Sequence, residues 1–275
     1  MLRAALKIVV YVFLYLAAVS LIGPLATWAG GYLAGVTAGG FAAALFANWM
    51  AMRIYEGRPL SGIGLGWRRA SAANLGLGLA AGAVAACLVL APPLAVGAAR
   101  LSQTPPGDFE LAASLFLPVI LFLGSAGEEI AFRGFGFQVL LGGIGPWATV
   151  LPVGILFAAL HAANPNATWL GLANTAGFGI LFGYAFLRSR DLWLPIGLHY
   201  GWNLTLPLFG VNVSGITMKV TGYTMEWTAG ELWSGGAYGP EASVLTSAIF
   251  PALFLFLWRA PVCRQSAPLL GPRET

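Results

Sequence analysis

Residues 111–140 read LAASLFLPVILFLGSAGEEIAFRGFGFQVL, an apolar run whose only charges are Glu128, Glu129 and Arg133. A helix needs about 20 mostly apolar residues to cross a bilayer, and this run exceeds that. Its three charges must face protein or water, because ionisable groups are costly in lipid. The same texture extends in both directions. Seven further apolar segments, at 8–27, 32–52, 74–98, 147–163, 168–187, 192–209 and 242–258, bring the expected number of spans to eight. The fourth is long enough to protrude or tilt, and the fifth is short. The expected fold is all-α: a polytopic membrane helix bundle of about eight transmembrane helices, with residues 1–275 forming one integral membrane domain.

Composition points the same way. The chain is 58% hydrophobic and 9% charged, against about 25% charged residues in soluble domains. Its net charge of +4 comes from basic residues scattered singly or in pairs, so nucleic acid is not an expected partner. The placement of those residues encodes orientation instead. With the N-terminus in the cytoplasm and eight spans, eleven Lys/Arg fall on the cytoplasmic side, in the segments holding Arg3 and Lys7, Arg53 to Arg69, Arg188 and Arg190, and Arg259 to Arg273. Only Arg100 and Lys219 fall opposite. Both termini are therefore expected in the cytoplasm, and the N-terminal apolar stretch is read as a retained helix rather than a cleaved signal. Cys87 lies in an apolar helix and Cys263 in the tail, so no disulfide is expected between them. The longest loop, 210–241, is read either as interfacial aromatics or as a cap over the bundle.

Ionisable and imidazole groups inside the expected spans are few: Glu128, Glu129 and Arg133 in the fourth, His161 in the fifth, His199 with Asn203 in the seventh. The two histidines of the chain both fall in apolar helices. Residues four apart share a helix face, so Glu129 pairs with Arg133. Glu128 points about 100° away, without that cation, and suits a general base. His199 and Asn203 also share a face. Gly124, Gly127, Gly134 and Gly136 flank the acidic pair, and small residues let helices approach closely in lipid. The chemistry suggested is amide hydrolysis, with Glu128 and His161 activating water and His199 and Asn203 stabilising an oxyanion. Ser125 lacks the surroundings of a covalent nucleophile.

Two other readings use the same residues. Glu128, His161 and His199 would make a three-ligand zinc set with an open position, although HExxH is absent. The preferred reading requires no cofactor, partly because Glu129 is expected to be committed to Arg133 and so unable to orient a metal-bound histidine. Alternatively, a buried Glu–Arg–His network serves a non-catalytic membrane scaffold or immunity-type protein. A transporter is a third class, but no repeat relates the two halves. One geometric tension stands out: His161 falls near one end of the fifth helix while Glu128 sits mid-depth in the fourth.

At these residues the chain resembles a known family. EExxxR (Glu128, Glu129, Arg133), FxxxH (Phe157, His161) and HxxxN (His199, Asn203), in this order on successive helices, look like the CPBP family, the CAAX protease and bacteriocin-processing proteins also called Abi. The resemblance covers about 111–209. It implies an eight-helix intramembrane endopeptidase, of a family classed among metalloproteases although a metal-free glutamate mechanism is also argued for it. It implies water activation by Glu128 and His161 and an oxyanion site at His199 and Asn203. Expected partners are membrane lipid and a protein or peptide substrate, lipidated or membrane-embedded. The expected location is a bacterial-type inner or plasma membrane.

Overall fold

The structure is a computed structural model, and it describes residues 2–104, 111–218 and 220–270. The chain folds as an all-α bundle. Helix α1 (Leu2–Ala34) passes through a short π-helical turn (Gly35–Gly39) into α2 (Gly40–Tyr55). The expected break between the first two spans is a tight reversal within continuous helix. Gly31 takes φ 79°, a left-handed value that glycine adopts without a Cβ penalty. The arms then run antiparallel, with Gly39 packed on Gly23 and Lys7 paired with Glu56 at the far end.

Helix α3 (Arg69–Ala95) follows, then strand β1 (Ala99–Gln103). The apolar run 111–140 is two helices, not one: α4 (Leu111–Arg133) and α5 (Phe135–Ile144). The break at Gly134 has a cause in α2. The Asn48 side chain reaches in, accepts from Phe135 N at 2.7 Å and donates to Ile130 O at 3.1 Å. A Cβ at Gly134 would lie 2.2 Å from Asn48 Oδ1, so only glycine admits it.

Helix α6 (Pro146–His161) returns alongside α5, followed by α7 (Trp169–Ser189) and α8 (Trp193–Leu208). Strand β2 (Tyr223–Trp227) pairs antiparallel with β1, and the short α9 (Glu231–Ser234) precedes α10 (Val244–Arg259). By length and composition four stretches can cross a membrane: Leu2–Tyr55, Arg69–Ala95, Ser114–Ile144 and Trp169–Ser189. Pro146–His161 and Val244–Arg259 are shorter apolar helices.

Large apolar side chains face outward on α1, α4, α6 and α10, among them Leu25, Phe116, Ile155 and Leu255. A surface of this kind suits lipid as solvent. Helix α8 is buried along most of its length, which is why it tolerates His199, Trp202 and Asn203. It is seated against α3 by two reciprocal glycine pairs. A Cβ at Gly78 or Gly82 would strike Leu194 O or Leu198 O, and one at Gly197 or Gly201 would strike Leu75 O or Leu79 O, all within 2.3 Å. Such small-xxx-small contacts bring backbones together where the hydrophobic effect gives no drive.

The basic segments gather at one end of the bundle. There Leu192 N donates to Gly64 O, and Gln265 N to Ser189 O. The C-terminal tail is laced down through Asn74, which bonds both the amide and the carbonyl of Cys263, and through Asp191. The other end carries β1 and the 210–241 segment, whose β2 pairs with it. Val211, Val213, Met218, Met225 and Tyr238 of that segment are buried. Gly215 N donates to Tyr238 O, and Asn164 reaches Ser214 O. The segment packs over the bundle end as a cap, while Tyr223 and Trp233 stay half-exposed, as interfacial aromatics would be. Cys87 and Cys263 are both free.

Candidate active site

The depth mismatch between Glu128 and His161 disappears once the α5–α6 turn is drawn at Gly145. Glu128 lies 17 residues before that glycine and His161 16 after it. The chain leaves Glu128 through the Gly134 break and α5, turns at Gly145 and comes back along α6 to His161. The two side chains meet at equal height: Glu128 Oε2 is 3.8 Å from His161 Nε2. The same oxygen is 3.9 Å from His199 Nε2 on α8. Glu128 Oε2 is buried and accepts no hydrogen bond, although the side chain as a whole is 40% exposed.

Glu129 points elsewhere, as the helical offset requires. Its Oε1 receives Arg133 Nη1 at 3.2 Å, and both side chains are fully buried. Arg133 also donates to Gly179 O at 2.7 Å and lies over the rings of Phe132, Phe157 and Phe182. Glu129 is not committed to Arg133 alone, contrary to the sequence expectation. The same Oε1 meets His199 Nδ1 at 3.1 Å.

Both imidazoles are thereby oriented. His161 Nδ1 lies 2.7 Å from Phe157 O. A carbonyl only accepts, so Nδ1 carries the proton and Nε2 is left to face Glu128. In His199, Nδ1 is engaged by the Glu129 carboxylate, and the ring stacks on Phe182 at 4.7 Å. Its Nε2 also turns toward Glu128. Asn203, one turn along α8, donates to Ser125 Oγ at 3.3 Å. All six residues picked from the sequence therefore belong to one connected cluster built from α4, α6 and α8. Gly127 permits this by packing on the Phe41 backbone of α2, where a Cβ would come within 2.9 Å.

Behind the histidines is a small cavity of about 20 Å³, lined in part by His161, His199, Asn203, Thr175, Ser214 and Glu241. That volume accommodates about one water. Glu241, from the end of the cap, was missed in the sequence. It is 7% exposed and accepts from Ser214 N, from Ser214 Oγ at 2.9 Å and from Trp202 Nε1 at 3.2 Å. Burial pushes its carboxyl above the usual range, against the lowering effect of the Ser214 and Trp202 donors. The one available signal was an acid set directly before an apolar helix whose N-cap is Ser243.

Three donors could hold a metal: Glu128 Oε2 and the Nε2 atoms of His161 and His199. Tetrahedral zinc at about 2.0–2.1 Å from each ligand would separate those atoms by about 3.4 Å, slightly less than the gaps present. The Nδ1 anchors on Phe157 O and Glu129 are the kind that metal-bound histidines carry. Both Glu128 gaps would have to close before these atoms could share such an ion. Among the described residues no compact group of three His, Cys, Asp or Glu forms a ready-made metal cage.

Fold and cluster together define a helical membrane-type bundle with a buried carboxylate–imidazole site. Residues 110–205 match the family model described as Rce1-like, type II CAAX prenyl endopeptidase Rce1-like. The match runs from the start of α4 into α8 and contains all six site residues. It is consistent with a CPBP-family protease, the family that the three motifs resemble, and it supports a CAAX-protease-like intramembrane endopeptidase. No curated protein matches the chain.

Proposed function

We propose that this chain is an intramembrane endopeptidase that hydrolyses a peptide bond with a water activated by Glu128 and His161. The observation that carries the reading is the orphaned Glu128 Oε2, facing two imidazole Nε2 atoms at 3.8 and 3.9 Å. Those gaps are too long for direct hydrogen bonds and suit one bridging atom. A water there gives a proton to Glu128 as its oxygen attacks the scissile carbonyl carbon. The resulting oxyanion accepts from Asn203 Nδ2 and from His199 Nε2, with the Glu129 carboxylate supporting the imidazolium through Nδ1. Glu128 then passes its proton to the leaving nitrogen as the C–N bond breaks. Glu129 and Arg133 orient His199 and fix α4 against α7.

No ion is required in this reading. If zinc is bound, Glu128, His161 and His199 hold it, and it supplies a bound water of lowered pKa. The substrate is a protein or peptide, lipidated or membrane-embedded, and the protein resides in a bacterial-type inner or plasma membrane with cytoplasmic termini. The non-catalytic scaffold reading accounts for the buried Glu129–Arg133–His199 network, where Glu129 Oε2 and Arg133 Nε are also unbonded, but not for a partly exposed Glu128 that faces two imidazoles.

One experiment tests both points: cleavage of a prenylated peptide panel by purified wild type and Glu128→Gln, each before and after chelation, with elemental analysis. Wild type cleaves, chelation leaves its rate unchanged, and Glu128→Gln loses at least about 100-fold while unfolding at the wild-type temperature. Equal rates in the two proteins would remove the proposed base. Stoichiometric zinc whose removal and return switch activity off and on would replace the metal-free mechanism.

A further inference from the structure

At the basic end of the bundle, away from the catalytic cluster, is a cavity of about 250 Å³. The α5–α6 turn supplies Leu141 and Pro146, the end of α7 supplies Leu187 and Arg190, and the C-terminal turn supplies Leu269 and Leu270. Its chemistry is two-sided: leucine and proline walls with one guanidinium. Arg190 caps α7 at φ 56°, with its amide bonded to Phe186 O at 2.8 Å, so its direction is set by the helix end. Its Nε is buried and donates to nothing in the protein. An unmet buried donor is costly, more so when charged.

The surroundings deepen that cost. Burial and the nearby positive charge of Arg264 both disfavour the Arg190 cation. Asp191, the adjacent acid, is occupied by Asn74, Gln265 and Leu194 N. Arg188 is turned onto the carbonyls of Leu257 and Ala260. Among the described residues no carboxylate forms an ion pair with Arg190 or Arg264. The cavity thus sets a guanidinium without a carboxylate partner beside apolar walls, which suits an anion that carries an apolar chain.

We infer that this pocket binds the phosphate of an anionic glycerophospholipid on Arg190, with the first methylenes of an acyl chain against Leu187, Leu269 and Leu270. A guanidinium fork suits phosphate oxygens, and basic pockets between helices at a membrane face are where such headgroups dock. The bound lipid joins the α5–α6 turn to the C-terminal tail, two segments otherwise distant in sequence.

The test uses the full chain reconstituted in phosphatidylcholine bilayers carrying trace spin-labelled phosphatidylglycerol or phosphatidylcholine. The motionally restricted fraction of each is measured. Wild type prefers phosphatidylglycerol about fivefold, the worth of one well-placed basic contact. Arg190→Gln brings the ratio close to one. Gly142→Phe does the same without touching the charge, because Gly142 lines the cavity and a Cβ there meets no atom within 4 Å. Arg3→Gln, which removes an equal charge elsewhere, leaves the preference intact. Millimolar inorganic phosphate also leaves it intact. A preference that survives Gly142→Phe overturns the inference, as does one that Arg3→Gln lowers equally, which is the signature of surface charge alone. Loss of preference in inorganic phosphate assigns the pocket to free phosphate rather than lipid. Because Gly142→Phe keeps Arg190, the pocket is still tested should Arg190→Gln not fold.

Discussion

The two adjacent glutamates on α4 have opposite environments, and a single helical step separates them. Glu129 is sealed with Arg133 and His199; the Glu128 side chain is partly exposed and faces two imidazole Nε2 atoms. Substitutions at the two positions should therefore fail in different ways. Arg133→Ala strands Glu129 beside His199, removes the bond to Gly179 O and uncovers three aromatic faces. Breaking one side of a buried pair costs about 3–5 kcal/mol, so this variant should unfold well below wild type in detergent. Arg133→Lys should not restore it, since an ammonium cannot bond both Glu129 and Gly179 in the guanidinium's planar geometry. Thermal unfolding of the two variants beside Glu128→Gln checks this. Equal, mild losses in all three would erase the division between base and brace. The pairing of Glu129 with Arg133 was legible in the sequence because it is local, four residues along one helix. The second bond of Glu129, to His199, spans 70 residues and no periodicity in α4 could report it.

Among the elements, the cap is where sequence reading stopped short. Its glycines and aromatics suggested either a membrane-interface belt or a cover, and helical periodicity has no purchase on such a segment. What pins it is Glu241, whose carboxyl joins Ser214 to Trp202 beside Asn203. This makes docking pH-dependent. The docked state raises the affinity of Glu241 for its proton, so docking is fully favoured below the ordinary value of 4.5 and weakens as pH climbs through the raised value. His161 and Tyr238 are the other titratable groups facing it, and Tyr238 is pushed up to about 12 and stays neutral. Hydrogen-exchange protection of amides 211–216 and 238–242, corrected for intrinsic rates, should fall with rising pH in wild type and lose most of that slope in Glu241→Gln. A slope shared by both proteins would assign the effect to another group. The break at Gly134 was equally hidden. The residues 111–140 read as one helix because the cause of the break, Asn48, comes from α2.

For the whole molecule, the count of basic residues anticipated which segments lie together. The 58–69, 188–191 and 260–265 stretches meet at one end, and β1 and the cap meet at the other. Spacing of apolar runs and the sign of the loops are long-range information written locally, which is why this level was readable while individual contacts were not. The arrangement predicts that Cys263 and a Ser61→Cys variant label from one side of the membrane and Tyr223→Cys from the other, with Cys87 replaced. Labelling of positions 61 and 223 from the same side would mean that an odd number of the spans between them fails to cross.

The chain between Glu128 and His161 breaks at Gly134 and turns at Gly145, so its length sets where α6 begins its return. Removing one residue from α5 moves that start by about 1.5 Å and turns it by about 100° relative to the Gly134 break. A matching deletion in α6 offsets that shift but leaves both side chains turned off their common axis. Chain length between residues 128 and 161 is thus held as tightly as residue identity. Descendants of this sequence can exchange outward-facing apolar residues there but can hardly gain or lose a residue.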